Sequence, residues 1–133
     1  MKKFVVLWCM VAAMGCNTKK AYPPATDGLN AGLEFIGACL KGNFDKADFY
    51  MLQDEKNKQL LKEAKEKFSY FSREQKKQLA EASLQNIAIE NILPTEIIIH
   101  YNNSYNNIGG KVKVLQVNEV WLVDFKYKFD PNL

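Results

Sequence analysis

The spacing of apolar residues divides the chain into three parts. Residues 4–14 form one unbroken apolar run, residues 27–82 repeat apolar positions every three or four, and from residue 84 onward apolar and polar positions alternate. A three-to-four spacing is the stripe of an amphipathic helix, and strict alternation is the mark of a strand with two different faces. The middle part predicts helices over 27–41, 43–52, 54–71 and 72–82. In the first, Leu29, Leu33, Ile36 and Leu40 share a stripe that Phe35 and Cys39 widen. Thr26 or Asp27 caps its start and Gly42 ends it. Gly32 and Gly37 weaken it intrinsically and offer a neighbouring element a close approach. In the second helix Phe44, Ala47 and Met51 share a side, with Asp45 as the candidate cap. In the third, Leu61, Ala64, Phe68 and Phe71 do so. Ser72 with Gln75 three residues on is a capping box for the fourth.

The alternating part predicts strands over 84–93, 96–103, 111–117 and 120–129. Pro94 breaks the first from the second. The Asn- and Gly-rich residues 102–110 and the pair Asn118-Glu119 supply the next two turns. Helices first and strands second give an α+β domain, with N-terminal helices packed on a four-stranded antiparallel sheet. Trp121, Val123, Phe125, Tyr127 and Phe129 fall on one side of the last strand and form the expected core row. Val120, Leu122, Asp124, Lys126 and Lys128 form the opposite row, half of it apolar. Ile98, with Val112 and Val114 if register permits, joins that row to make an outer face suited to self-association or partner docking.

The N-terminal run changes where this domain is expected to work. Lys2 and Lys3 precede it, and Ala13-Met14-Gly15-Cys16 follows its core with small residues leading into a cysteine. Eleven apolar residues are too few to cross ~30 Å of hydrocarbon but suit a secretory signal. The expected organisation is a lipoprotein signal peptide over 1–15, a lipidated Cys16 with a Pro-containing tether over 16–26, and one domain over 27–130. Cys9 leaves with the signal and Cys16 carries acyl chains, so only Cys39 remains and no intramolecular disulfide is available. A buried thiol in an apolar helix is the simplest role for it.

Charge then narrows the partners. Of 18 Lys and Arg, two leave with the signal, and the remaining 16 face 15 acidic residues for a balance of +1. A nucleic-acid partner needs a concentrated basic face, which this mixture does not make. The membrane, reached through the anchor at Cys16, is the expected partner. Asn17 in place of aspartate favours the periplasmic side of the outer membrane.

Two segments carry a family resemblance. The first is Phe35-Ile36-Gly37-Ala38 followed by Lys41-Gly42-Asn43-Phe44-Asp45-Lys46-Ala47. The second runs from Lys113-Val114-Leu115-Gln116-Val117 through Asn118-Glu119 to Val120-Trp121-Leu122-Val123-Asp124. Together they resemble small bacterial envelope lipoproteins with a domain of unknown function, related to the nuclear-transport-factor-2-like (cystatin-like) folds. The resemblance spans about residues 28 to 129. It implies a curved sheet cupping the helices, a cone that other branches use as a pocket or active site, and dimerisation through the sheet. It carries no activity over to particular residues.

Candidate chemistry is sparse. His100 is the sole histidine, and alternation puts it on the outer face with Asp124 as a candidate orienting carboxylate. An enzyme with a small polar pocket built on His100 and Asp124 is the alternative reading, against the simpler one of a surface histidine beside an ordinary strand carboxylate. One histidine without a cysteine cluster makes no zinc set, and no cofactor is called for. The leading expectation is a non-catalytic binding domain, holding a protein partner, itself or a small apolar ligand. Trp121, Phe125 and Tyr127 would line its interior, and Ile98 and Leu122 its outer face.

Overall fold

The computed structural model describes residues 21–130, 132 and 133. The signal peptide expected over 1–15, the lipidated Cys16 and the first part of the tether lie outside the described residues. Helix α1 (Gly28–Leu40) starts at Asp27, whose carboxylate accepts from the Asn30 N–H at 2.7 Å. It ends where Gly42 takes a left-handed φ of +72°. Helix α2 (Phe44–Phe49) is capped by Asn43, whose side chain accepts from the Lys46 N–H, and not by Asp45. Helix α3 (Glu55–Ser69) starts from Asp54, and α4 (Arg73–Glu81) from the Ser72–Gln75 capping box, with both of its reciprocal bonds formed.

The strands β1 (Leu84–Leu93), β2 (Glu96–Asn103), β3 (Ile108–Val117) and β4 (Val120–Phe129) form one antiparallel meander in the order β1-β2-β3-β4, not closed into a barrel. Asn118 and Glu119 both have positive φ, which gives the β3–β4 hairpin a turn whose twist matches the strands. β3 begins three residues earlier than the Asn- and Gly-rich stretch suggested. The Asn103 side chain accepts from the Tyr105 N–H, and its carbonyl accepts from the Asn107 N–H, which tightens the β2–β3 hairpin and frees Ile108 and the two glycines to pair.

α1 lies across the inner face of β2, β3 and β4. Gly28 and Gly32, one turn apart, face the sheet. A Cβ at either would overlap the side chains of Ile97 or Ile99, so the helix axis comes closer than a larger residue allows. Gly37 meets nothing. The buried stripe is therefore Ala31, Phe35, Ile36 and Cys39, with Leu29 and Leu33 half-buried at its margin. Opposite it stand Ile97, Ile99, Val112, Val114, Val123 and Phe125. The Phe35 and Phe125 rings meet edge to face at 5.0 Å. Each large side chain so buried contributes about 1.5–3 kcal/mol.

Two expectations for the sheet fail, for one geometric reason each. Val112 and Val114 pair with Lys128 and Val123 and lie on the buried inner face, not the outer one. In β4 the core row ends at Phe125. Lys113 faces Asp124 while its neighbour Val112 faces Lys128, so Phe125, Lys126 and Tyr127 have no opposite residue in β3. This bulge inverts the alternation. Tyr127 turns out to the solvent face, 40% exposed, under the amines of Lys111 and Lys113. Lys128 turns in, its ammonium 4.2 Å from the centre of the Phe125 ring. Trp121 is half-buried against the core beside Gly28.

Candidate interaction surface

The outer face carries an apolar strip built across three strands. Val117 pairs with Val120 and Leu115 with Leu122, and Ile98 stands on β2 opposite Lys113, diagonal to Leu115. Ile98 is buried although it faces away from the helices, while Leu115 and Leu122 are half-buried and Val117 and Val120 exposed. Long neighbours frame it: Lys113 pairs with Ile98 in register and forms a 2.8 Å ion pair with Glu96. Ile98, Leu122 and Val120 thus lie on the outer face, with Leu115 and Val117 beside them.

The two edges of the sheet differ. β4 is closed. Residues 50–52 run parallel beside it, with the Leu52 N–H donating to the Val123 carbonyl and the Val123 N–H to the Tyr50 carbonyl, both at 2.8 Å. At the bulge, buried Asn57 continues the seal. Its amide donates to the Leu52 carbonyl and to Asp124 Oδ1 (3.2 and 3.0 Å), and its oxygen accepts from the Lys126 N–H at 2.7 Å. Lys126 Nζ bridges Asp124 and Asp54 at 2.6 and 2.9 Å. The Asn57 N–H, then Lys126, hold the Asp54 carboxyl below the usual carboxylate range. β1 is open. Every residue after Leu84 is exposed, and Ile87, Ile89, Ile92 and Leu93 stand 41, 44, 43 and 55% accessible.

His100 and Asp124 do not meet. They sit on β2 and β4 with β3 between them, and their registers differ by two residues, Lys111 against Lys113. Two strand spacings alone put the backbones about 9.5 Å apart. The His100 ring bonds Glu90 of β1 at 2.9 Å, and Asp124 is held by Asn57 and Lys126. Alternation put both residues on one face, but Asp124 is drawn to the edge by a partner 67 residues away in sequence. His100 instead borders a depression of about 440 Å³ with Lys111, Asn102, Asn86 and the bare backbone of Gly109.

Among the described residues, the helices and the sheet pack directly against each other, with Phe35 on Phe125. Phe125 packs in the core, Trp121 lies at its margin and Tyr127 is outside, so these three do not line one chamber. At the mouth between α1, α3 and Leu133, lined by Cys39, Phe44, Ala64 and Phe68, about 10 Å³ is open, room for a single water. Burial pushes the Cys39 thiol up to about 12, which leaves it protonated and unreactive. The Tyr101 hydroxyl donates to buried Asp130 at 2.5 Å, and burial, then that carboxylate, push the phenol well above its ordinary range. Asn57 and Asp130 had no signal in the periodicity, because each is polar at a position where local pattern predicts solvent. Among the described residues, no helix is long and apolar enough to cross a membrane. No protein-family model matches the sequence, and no curated protein matches it.

Proposed function

We propose that this chain is a lipid-anchored protein of the bacterial cell envelope whose single cystatin-like, nuclear-transport-factor-2-like domain acts by binding and not by catalysis. The anchor is the acylated Cys16, held on the periplasmic side of the outer membrane, and the working surface is the sheet. One observation carries the reading: Ile98, Leu115, Leu122, Val117 and Val120 form an apolar strip on the face opposite the helices. A strip of that kind, framed by charged side chains, is the composition of a docking site. The packed interior supports a protein partner over an apolar ligand held in the cone, since Phe35 and Phe125 occupy the space such a ligand needs.

Two measurements on cells expressing the full chain test this. Intact mass spectrometry of the membrane fraction is expected to find a chain beginning at Cys16 with covalent diacylglyceryl, and Cys16→Ser to release it from the membrane. A photo-crosslinking amino acid at Leu122 is expected to give a discrete adduct, and the same probe at exposed Lys58 none. An unprocessed, lipid-free protein, or identical patterns from the two probes, overturns the proposal.

A further inference from the structure

We propose that the open edge of β1 pairs with β1 of a second copy, antiparallel about a two-fold axis at Ile89, joining two four-stranded sheets into one. The inference rests on the binding reading above and moves it from the face of the sheet to its edge. A free strand edge presents a row of unpaired N–H and C=O groups, and another strand is the group that answers such a row. Among the described residues, 50–52 and Asn57 cover this row at β4, and the row at β1 is exposed. Edges meant to stay single carry lysines, prolines or bulges, and the irregularities of β1 lie outside 88–91. β1 reads Leu-Gln-Asn-Ile-Ala-Ile-Glu-Asn-Ile-Leu, with one charge and neither of those residues.

Symmetry and charge choose the second copy and the register. An antiparallel pair with the helices of both copies on the same side has its axis normal to the sheet. Each residue then faces one on the same side as itself, so the axis passes through a residue. β1 pairs one to one with β2 over residues 88–91, with register shifts on either side and a left-handed φ at Asn86. An axis at Glu90 sets two carboxylates directly opposite, which is repulsive. An axis at Ala88 sets Glu90 against the shifted Asn86. An axis at Ile89 places Ile89 against the partner's Ile89 on the helix side, and Ala88 against the partner's Glu90 on the outer side. Ala88 is small, and its in-register neighbour on β2 is His100, itself paired with Lys111. The partner's Glu90 therefore lies beside Ala88 with the His100 ring next across the sheet, and the symmetric contact repeats it. The 2.9 Å Glu90–His100 bond within one copy shows that a carboxylate in this row reaches the ring.

The described part of the tether, from residue 21, lies away from this edge. Tyr22 packs on Phe49 and Tyr50, and the Tyr50 hydroxyl donates to the Pro23 carbonyl at 2.7 Å, all at the β4 side. In an eight-stranded sheet Tyr22 and Pro23 of the two copies stand at opposite ends, roughly 33 Å apart by strand spacing.

The test uses the full chain in neutral detergent. Sedimentation is expected to show a dimer at micromolar concentration. A short bismaleimide is expected to join Ile89→Cys chains to each other well above the wild-type background. Gln85→Cys is expected not to join, because in this register it lies opposite the partner's Leu93. Ala88→Glu creates two symmetric repulsions with Glu90 and is expected to weaken dimerisation about tenfold. Adding Glu90→Lys to it restores the dimer, a rescue that a folding defect does not give. A monomeric wild type, or equal cross-linking at positions 85 and 89, overturns the inference. If the monomer still gives the Leu122 adduct, the binding reading stands without it. If Leu122 captures nothing while Ile89→Cys joins, self-association is the whole of the binding.

Discussion

A methyl group added at Gly32 and one added at Gly37 are expected to move stability in opposite directions. At Gly32 the new Cβ overlaps Ile99 and crowds Val114, both fully buried, so Gly32→Ala forces α1 off the sheet at a cost of about 1–3 kcal/mol. At Gly37 the Cβ meets nothing, and Gly37→Ala stabilises by about 0.5–1 kcal/mol through helix propensity alone. Urea unfolding midpoints of the two variants check both signs. Cys39 supplies a second residue-scale prediction. Its folded-state thiol is raised from 9.0 to about 12 because the site excludes water. The folded chain holds that proton after the unfolded chain has lost it, so its contribution is complete below pH 9 and drains at about 1.4 kcal/mol per pH unit between pH 9 and 12. The buried Tyr101 phenol acts with the same sign. Cys39→Ala is expected to flatten the alkaline limb of a stability–pH curve, and an unchanged slope refutes the assignment. The buried thiol was legible in the sequence, because a cysteine among apolar helical positions has one simple place to go. The pair of sheet-facing glycines was only half legible: Gly32 was marked for close approach, but its true companion is Gly28, since residues four apart share a face and residues five apart do not.

At the scale of elements, the sequence announces structure wherever pairing is one residue to one. β2 meets β3 without interruption from Glu96 opposite Leu115 to Asn103 opposite Ile108, and its alternation of Ile97, Ile99 and Tyr101 against Ile98 and His100 reads straight into faces. β4 carries an equally clean alternation that misleads beyond Phe125. Its cause lies in Asn57, on a helix far off in sequence, which takes the Lys126 N–H and the Asp124 carboxylate and so stabilises a bulge that no local period encodes. The bulge is also why Tyr127 leaves the expected Trp121–Phe125–Tyr127 lining, whereas His100 and Asp124 are kept apart by β3 between their strands. Asn57→Ala strips partners from three buried or half-buried groups at once: the Leu52 carbonyl, the Lys126 N–H and one of the bonds to Asp124. The expected loss is about 2–4 kcal/mol. Asn57→Asp keeps an acceptor for Lys126 but loses both donations and places a carboxylate against Asp124, so it is expected to be no better than alanine. If the aspartate variant matches wild type in thermal unfolding, the amide is not what closes this edge.

At the scale of the molecule, closure at β4 and exposure at β1 set up a gradient of local stability. α1 packs on β2, β3 and β4, and β1 is held chiefly by its ladder with β2. Local opening is cheapest where few apolar contacts must break, so β1 amides are expected to exchange fastest of the four strands and the Val123 amide slowest. Concentration makes the measurement decisive for the edge. In dilute solution the β1 groups that point away from β2 are bonded to water. In a β1–β1 joint they bond to the second copy, and raising the protein concentration is expected to slow exchange over residues 88–91. The amides of Leu52 and Val123, already paired within one chain, keep their rates. Slowing spread evenly over all four strands instead reports general stabilisation by crowding or aggregation. Slowing confined to Leu115, Val117 and Leu122 places the contact on the face of the sheet. The location of the change, more than its size, tells whether this domain meets its partners along its edge or across its face.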